Sequence, residues 1–130
     1  MTVHLTGSQF AALGVTTEKP SKFHNVKVLA DGKKFASKAE YMRYLWLKDE
    51  LKAGRISGLS CQPRFILQES FKYQGNTERA ITYIADFMYL RDGKTVVEDV
   101  KGKKTDVYKL KRKLFLKRYG DKYDFLEVAA

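Results

Sequence analysis

Residues 81–101, ITYIADFMYLRDGKTVVEDVK, contain two runs of strand-forming residues joined by a short polar turn. The first run, residues 80–90, is apolar, β-branched or aromatic at most positions, and the second, residues 95–101, is rich in valine. Arg91-Asp92-Gly93-Lys94 between them is typical of a tight turn. The two strands are therefore predicted to pair as an antiparallel hairpin, which is the centre of the predicted fold.

Upstream of this hairpin, the sequence predicts a second hairpin and a helix. Alternating apolar residues lead into Asp31-Gly32, a strong two-residue turn, so residues 25–35 are predicted to form a small hairpin. Ser37-Lys38-Ala39-Glu40 matches a capping box, with serine at the N-cap and glutamate at N3. The helix that begins there is predicted to end near Gly54, because glycine commonly follows the last helical residue.

Further strands and a second helix complete the predicted order. Strands are predicted at residues 61–68 and 123–128, and the polar segment 70–79 is predicted to be a loop or hairpin tip. A helix is predicted from residue 105 or 106 to Tyr119, with Val107, Leu110 and Leu114 along one face and Tyr108 and Phe115 beside them. The order of elements indicates a mixed α/β protein. We expect a single domain over residues 23–130, preceded by a weakly ordered arm at residues 1–22.

The composition limits the classes of function. The chain has 130 residues, with 25 Lys and Arg against 15 Asp and Glu, and a net charge of +10. This charge favours polyanionic partners, nucleic acid before an acidic membrane. One cysteine and two histidines exclude a disulfide framework, a thiolate zinc cluster and a histidine-rich metal site. No stretch suits a signal peptide or a membrane span, so we expect a soluble, cytoplasmic protein without a membrane partner.

Acidic residues and a lysine lie within strands that are otherwise apolar. A carboxylate such as Asp86 is costly in a buried strand unless it is paired, hydrogen-bonded or bound to a metal. In the next strand, period-two alternation puts Asp99 and Lys101 on one face and Glu98 on the other. Two carboxylates brought together repel each other, and a divalent cation removes that repulsion. Because hard oxygen ligands suit Mg²⁺ or Mn²⁺, the pattern predicts a site for one of these ions with a lysine beside it.

Each of these residues also has a plain structural interpretation. Asp86 could be an outward-facing acid on an edge strand, and Asp99 and Lys101 could form an ordinary salt bridge. Glu98 has three interpretations: a solvent-facing acid, a partner for a lysine, or an auxiliary metal ligand. The apolar neighbours of Asp86 and the valine-rich strand around Asp99 favour the metal site.

Several short motifs, taken in chain order, resemble a family of small phage-encoded nucleases. They are GKKFASKAE at residues 32–40, Gln62-Pro63, YIADF at residues 83–87, VEDVKG at residues 97–102 and TDVYKLK at residues 105–111. That family belongs to the PD-(D/E)XK superfamily and is related to Holliday-junction resolvases and transposon-end endonucleases. The superfamily motif would be Asp86 followed by Asp99-Val100-Lys101, with Ala85 in place of the proline. The similarity covers roughly residues 23–128, nearly the whole predicted domain.

The resemblance implies both a fold and a site. The fold would be a restriction-endonuclease-like core of one helix, three antiparallel strands, a helix and a strand, after an N-terminal hairpin. The site would have Asp86, Asp99, Lys101 and Glu40 as catalytic residues, the three acids among them as metal ligands, and Gln62 and Glu98 as secondary candidates. Glu40 at N3 also has a local capping role, and both interpretations stay open. Because junction resolvases make paired cuts, a homodimer in the host cytoplasm is expected by analogy.

A basic segment begins at Lys101. Residues 101–122 contain ten Lys and Arg against two acids. Because an adjacent polyanion relieves their mutual repulsion, six are predicted to contact DNA phosphates: Lys103, Lys104, Lys109, Lys111, Arg112 and Lys113. The sequence thus predicts a metal-dependent endonuclease that hydrolyses phosphodiester bonds in DNA, selective for branched or junction structures. The alternative is a non-catalytic nucleic-acid-binding module with a nuclease-like fold, and RNA as the target also stays open.

Overall fold

Two helices and several small sheets make up the residues that the structure, a computed structural model, describes: 16–20 and 26–130. The chain is thus a mixed α/β protein, as predicted. It divides into two units, Met1–Ala53 with Ala130, and Gly54–Ala129. Most of the predicted arm over residues 1–22 lies outside the described residues, but Thr16–Pro20 within it forms strand β1. Over the described ranges, no helix is long and apolar enough to cross a membrane.

The first unit contains a three-stranded antiparallel sheet and a helix. The sheet has the order β1-β2-β3, with β2 at Val26–Ala30 and β3 at Lys33–Phe35. Asp31 and Gly32 between them have φ angles of 53° and 70°, the left-handed conformation that a type I′ turn requires. This confirms the predicted hairpin, although β1 adds a third strand that the sequence did not indicate. Helix α1, Lys38–Lys52, packs on β2 and β3.

Helix α1 begins where the capping box predicts. Its N-cap is Ser37, whose Oγ accepts a hydrogen bond from the Glu40 N–H at 3.1 Å. Tyr41 and Tyr44 bury the face toward the sheet, with ring centroids 5.3 Å and 4.9 Å from that of the buried Phe35. Because aromatic rings bury large apolar areas, these contacts fix the helix on the hairpin.

The second unit is built around the predicted central hairpin. Its elements in chain order are β4 (Ser57–Cys61), β5 (Arg64–Gln68), β6 (Phe71–Tyr73), β7 (Asn76–Glu78), β8 (Ile81–Ile84), β9 (Phe87–Arg91), β10 (Lys94–Lys101), α2 (Asp106–Tyr119) and β11 (Asp124–Ala129). One four-stranded sheet has the order β11-β10-β9-β4. Within it β4, β9 and β10 are antiparallel, and β11 runs parallel to β10. The pairs β5-β8 and β6-β7 form antiparallel two-stranded ribbons.

Two strands that the sequence predicted as continuous are each divided in two. Residues 61–68 break between β4 and β5, and residues 80–90 break between β8 and β9. The breaks face each other: the Gln62 N–H donates to the Asp86 carbonyl at 2.8 Å, and the Ala85 N–H donates to the Pro63 carbonyl at 3.1 Å. Gln62 has a left-handed φ of 55°, and Pro63 has no N–H to donate, so regular pairing cannot continue there. Asp86 therefore lies at a junction of strands rather than inside one.

The core of the second unit uses a different face of α2 from the one that the sequence predicted. Val107, Leu110 and Leu114 are 63%, 60% and 37% exposed, whereas Tyr108 and Phe115 are buried. The Phe115 ring lies 4.9 Å from Phe65 and 5.4 Å from Tyr83, in a cluster that includes Leu67, Ala85 and Val97. Both stripes fit the helical period, and the aromatic stripe prevails because its rings bury more apolar area.

Candidate functional site

Strand β10 directs its acidic residues to opposite faces of the sheet, as its alternation predicts. Val97 joins the core beneath α2, so Asp99 and Lys101, two and four residues further on, lie on the same face. Asp99 is 1% exposed, and the Lys101 side chain is 29% exposed. On one face of β10, the buried Asp99 is therefore followed two residues later by the partly exposed Lys101.

Asp99 has two carboxylate oxygens in different situations. Oδ2 accepts a hydrogen bond from the Tyr83 hydroxyl. Oδ1 is buried and has no hydrogen-bond partner among the described residues, and the Lys101 Nζ lies 3.4 Å from it. At that distance the ammonium attracts the carboxylate, but it does not donate a hydrogen bond to Oδ1. A buried carboxylate oxygen in this state is costly unless another ligand reaches it.

Asp86 is anchored beside Asp99 by its own backbone and side chain. Its N–H donates to the Glu98 carbonyl at 3.0 Å, and its Oδ2 accepts from the Val100 N–H at 2.7 Å. The β9–β10 ladder ends at the pair Phe87 and Glu98, so the next position of the same register would pair Asp86 with Asp99. The structure therefore brings the two predicted aspartates to the same end of the same pair of strands.

The charges of both aspartates affect the pKa of the Tyr83 hydroxyl. Burial raises the pKa of its hydroxyl, and the charge and hydrogen bond of Asp99 raise it further, with smaller contributions from Tyr108 and Asp86. The hydroxyl therefore stays protonated and serves as a donor that fixes Asp99. Sequence reasoning did not identify Tyr83, although its position three residues before Asp86 in an apolar run was a usable signal.

The residues at this site fit a divalent cation in part. Among the described residues, no group of three or more His, Cys, Asp or Glu side chains is arranged as a metal site. Mg²⁺, however, is commonly held by one or two carboxylates together with waters and substrate phosphates. The unsatisfied Oδ1 of Asp99 is a hard oxygen donor of the required kind, and Asp86 lies at the same end of the β9–β10 pair.

The two secondary candidates lie at different places. Glu98 is fully buried on the opposite face of β10, and its Oε2 accepts from the Tyr89 hydroxyl. The solvent-facing interpretation of Glu98 is therefore wrong, because that face of β10 is also covered. Gln62 is exposed, and its backbone N–H holds the Asp86 carbonyl.

Glu40 belongs to the first unit of the chain. It is 3% exposed, its N–H is bound by Ser37, and its Oε2 accepts from the Ala36 N–H at 2.9 Å. This confirms a local capping role, with the carboxylate bound one residue before the N-cap rather than at it. Asp86 and Asp99 belong to the second unit, so a metal-binding role for Glu40 stays a prediction.

The six predicted DNA-contacting cations all lie on or just before α2. Lys103, Lys104, Lys109 and Lys113 are exposed, and Lys111 and Arg112 are half-buried. Two of them meet Glu127 on β11, an acid that sequence reasoning did not identify: Lys104 Nζ lies 2.6 Å from Oε1, and Arg112 Nε lies 3.7 Å from Oε2. Glu127 is the register partner of Asp99, but the parallel pairing that makes it so is not visible in the sequence.

The fold and site define a mixed α/β protein with a buried acid, paired with a partly exposed lysine, beside a basic helix. Residues 20–128 match the family described as "Protein of unknown function (DUF1064)", and the chain belongs to that family. No curated protein matches the sequence.

Proposed function

We propose that this protein is a metal-dependent endonuclease of the PD-(D/E)XK class that hydrolyses phosphodiester bonds in DNA. The order of its elements supports the class: a helix, three antiparallel strands, a second helix and a final strand parallel to the third. This is the order that the sequence resemblance implies. The net charge of +10 supports a polyanionic substrate.

One observation carries the proposal: a buried carboxylate oxygen with no hydrogen-bond partner faces a lysine at the end of a strand. Asp99 Oδ1 lies 3.4 Å from Lys101 Nζ, and Asp86 is fixed at the adjoining strand junction. A purely structural acid would be expected to have both oxygens satisfied. An unsatisfied one that is held rigidly by Tyr83 suits a ligand supplied with the substrate.

Each residue then has a defined role. When bound, Mg²⁺ or Mn²⁺ would neutralise the carboxylates and activate water for attack on phosphorus. Asp99 and Asp86 would hold the ion, and Tyr83 keeps Asp99 in a single orientation. Lys101 brings an ammonium group to the same point, where it stabilises negative charge that builds on the phosphate.

The basic helix supports a substrate that is bound mainly through its phosphates. Phosphate contacts give affinity without reading sequence, and no base-reading element is evident in the sequence. We therefore propose selectivity for DNA structure, such as branched or junction DNA. By analogy with enzymes that make paired cuts, a homodimer is part of the proposal.

Cleavage of a small panel of DNA tests the proposal. Linear, nicked, flap and four-way substrates are incubated with Mg²⁺, with Mn²⁺ and with EDTA. Asp86→Ala and Lys101→Ala are each expected to lower the rate at least about 100-fold, since the first removes a ligand for the metal and the second removes positive charge at the reacting phosphate. Lys94→Ala, an exposed lysine at the opposite end of β10, is the matched control and should retain the wild-type rate. Full activity in EDTA or in Asp86→Ala contradicts the proposal.

A non-catalytic DNA-binding module is the second candidate, and one observation favours it. Asp86 Oδ2 already accepts from the Val100 N–H and Asp99 Oδ2 from the Tyr83 hydroxyl, so each acid has one structural partner without any metal. Such a module would bind DNA equally in Mg²⁺ and in EDTA and would cut none of the panel. Loss of cleavage with retained binding in Lys101→Ala supports the enzyme.

A further inference from the structure

Glu127 on β11 contacts one tyrosine and two basic side chains near the first turns of α2. Its Oε2 accepts from the Tyr108 hydroxyl at 2.6 Å, and Lys104 Nζ lies 2.6 Å from Oε1. The hydrogen bond from Lys104, followed by that from Tyr108, lowers the pKa of Glu127, so the carboxylate is charged at neutral pH. The acid thus holds Lys104 and Arg112 on the same side of the helix.

A surface cavity of about 260 Å³ adjoins this cluster. Its lining contains three cations against one acid: Lys104, Lys109 and Arg112 with Glu127, beside Tyr108. The excess of two positive charges in a concave site favours an anion. A phosphodiester group supplies one negative charge and acceptor oxygens for the lysine and guanidinium donors.

Arg112 is held in a way that leaves donors for such an anion. Its Nε is buried without a hydrogen-bond partner among the described residues, 3.7 Å from Glu127 Oε2. The guanidinium carbon lies 5.6 Å from the Phe125 ring centroid, which limits rotation of the side chain. Because the group is planar with five donors and the side chain is 43% exposed, its outer edge can bind two phosphate oxygens.

The cavity lies next to the proposed cleavage site by two independent measures. Glu127 and Asp99 are register partners on neighbouring strands, which are about 4.8 Å apart in a sheet. Lys101 Nζ lies 4.6 Å from the centroid of the Tyr108 ring, whose hydroxyl binds Glu127. A DNA strand with a phosphate in the cavity would therefore pass directly beside Lys101.

We propose that this cavity binds the DNA backbone phosphate next to the phosphate that is cleaved, and that Glu127 positions Lys104 and Arg112 to contact it. The inference rests on the proposed function, which supplies the neighbouring cleaved phosphate. It makes an acidic residue promote the binding of an anion, because the side chains that it fixes lose less conformational freedom on binding.

Binding without cleavage tests the inference. A labelled four-way junction and a duplex are titrated in EDTA, and affinity is followed by fluorescence anisotropy as salt is raised. Lys104→Gln and Arg112→Gln are each expected to weaken binding roughly 5- to 10-fold and to lower the salt slope by about 1. Lys94→Gln removes the same charge at the other end of β10, about 23 Å from Lys101, and should change affinity less than about twofold.

Glu127→Gln gives the sharpest outcome, because it raises the net charge by one. If Glu127 positions the cations, this variant binds DNA more weakly than wild type, whereas tighter binding overturns the inference. Equal losses in Arg112→Gln, Lys104→Gln and Lys94→Gln also overturn it. Circular dichroism of each variant checks the fold.

Free inorganic phosphate is the other ligand that the cavity could bind. A competition experiment distinguishes it from a DNA phosphate. Inorganic phosphate is added at an ionic strength matched with chloride. It should compete with DNA more strongly in wild type than in Arg112→Gln. Stabilisation by inorganic phosphate together with unchanged DNA affinity in Arg112→Gln overturns the assignment to DNA. If the variants lose affinity as expected but wild type cuts nothing in the cleavage panel, the phosphate site is supported and the proposed enzyme is refuted.

Discussion

Replacing Asp99 with asparagine distinguishes a metal ligand from a structural acid by the size of its effect on stability. The amide side chain would keep an oxygen for the Tyr83 hydroxyl and remove the charge, but it would place an NH2 group, a donor without an acceptor, where Oδ1 now faces the Lys101 ammonium. In wild type, Oδ1 is buried without a hydrogen bond, which costs about 1–3 kcal/mol. The ammonium of Lys101 at 3.4 Å offsets part of that cost, but solvent weakens the attraction because the lysine side chain is 29% exposed. Because the buried amide N–H groups carry a similar cost, in EDTA we expect the stability of Asp99→Asn to lie within about 1 kcal/mol of that of wild type.

The same variant should lose the response to metal. A ligand that binds only the folded state at 100 times its dissociation constant stabilises it by about 2.7 kcal/mol. Urea unfolding of wild type should therefore shift on addition of Mn²⁺, and unfolding of Asp99→Asn should not. If the Asp99–Lys101 pair were structural, removing one partner would instead cost about 3–5 kcal/mol.

Glu98→Gln is the control matched for burial. Glu98 is fully buried one residue away, on the opposite face of β10, and also accepts from a tyrosine. This variant should keep the stabilisation by Mn²⁺. The reasoning is refuted if Asp99→Asn is about 3 kcal/mol less stable than wild type in EDTA and Mn²⁺ stabilises neither protein.

Three further perturbations test neighbouring steps of the argument. Tyr83→Phe removes the donor that orients Asp99 and should weaken Mn²⁺ binding about 10- to 100-fold, measured by calorimetry; unchanged affinity would show that Asp99 needs no such support. Phe115→Ala should cost about 3–5 kcal/mol in urea unfolding, against at most about 0.5 kcal/mol for the exposed Leu110→Ala, and the reverse order would restore the helix face predicted from sequence. Because Lys104 and Tyr108 lower the pKa of Glu127, the stability difference between wild type and Glu127→Gln should be full at neutral pH and shrink as pH falls below about 4; a difference that grows in acid would contradict this sign.

Local signals predicted the elements that depend on few residues. Ser37 and Glu40 form the cap of α1 because both partners lie within one turn. Asp31-Gly32 closes a hairpin because its backbone conformation suits few other pairs. The alternation in β10 separated Glu98 from Asp99 because side chains in any strand point to opposite faces.

Features that depend on distant partners were not predicted. The chain breaks between β8 and β9 because Ala85 and Asp86 form backbone hydrogen bonds with Pro63 and Gln62. Nothing in residues 80–90 themselves indicates that contact. The buried stripe of α2 is decided by Phe65 and Tyr83 on other elements, so helical period alone could not choose between two apolar stripes. Glu127 reaches the site through the parallel pairing of β10 with β11, which depends on tertiary packing.

Tyrosine donors do not by themselves mark a functional acid in this protein. Tyr83, Tyr89 and Tyr108 bind Asp99, Glu98 and Glu127 respectively, so each acid has the partner that burial requires. What distinguishes the site is that it contains buried polar atoms without a hydrogen-bond partner. Among the described residues, two buried side-chain polar atoms have no hydrogen-bond partner, Asp99 Oδ1 and Arg112 Nε.

These two atoms attract ligands of opposite charge, and contacts of Tyr108 connect their surroundings. Asp99 Oδ1 faces Lys101, which lies over Tyr108, and Arg112 Nε faces Glu127, which the Tyr108 hydroxyl binds. A carboxylate oxygen accepts a cation, and a guanidinium binds an anion. A divalent cation bound together with a backbone phosphate supplies both charges at adjacent points. Under the proposed function, the metal would reach Asp99 Oδ1 and the phosphate would bind the exposed outer edge of Arg112, so neither a metal alone nor DNA without metal would engage both side chains.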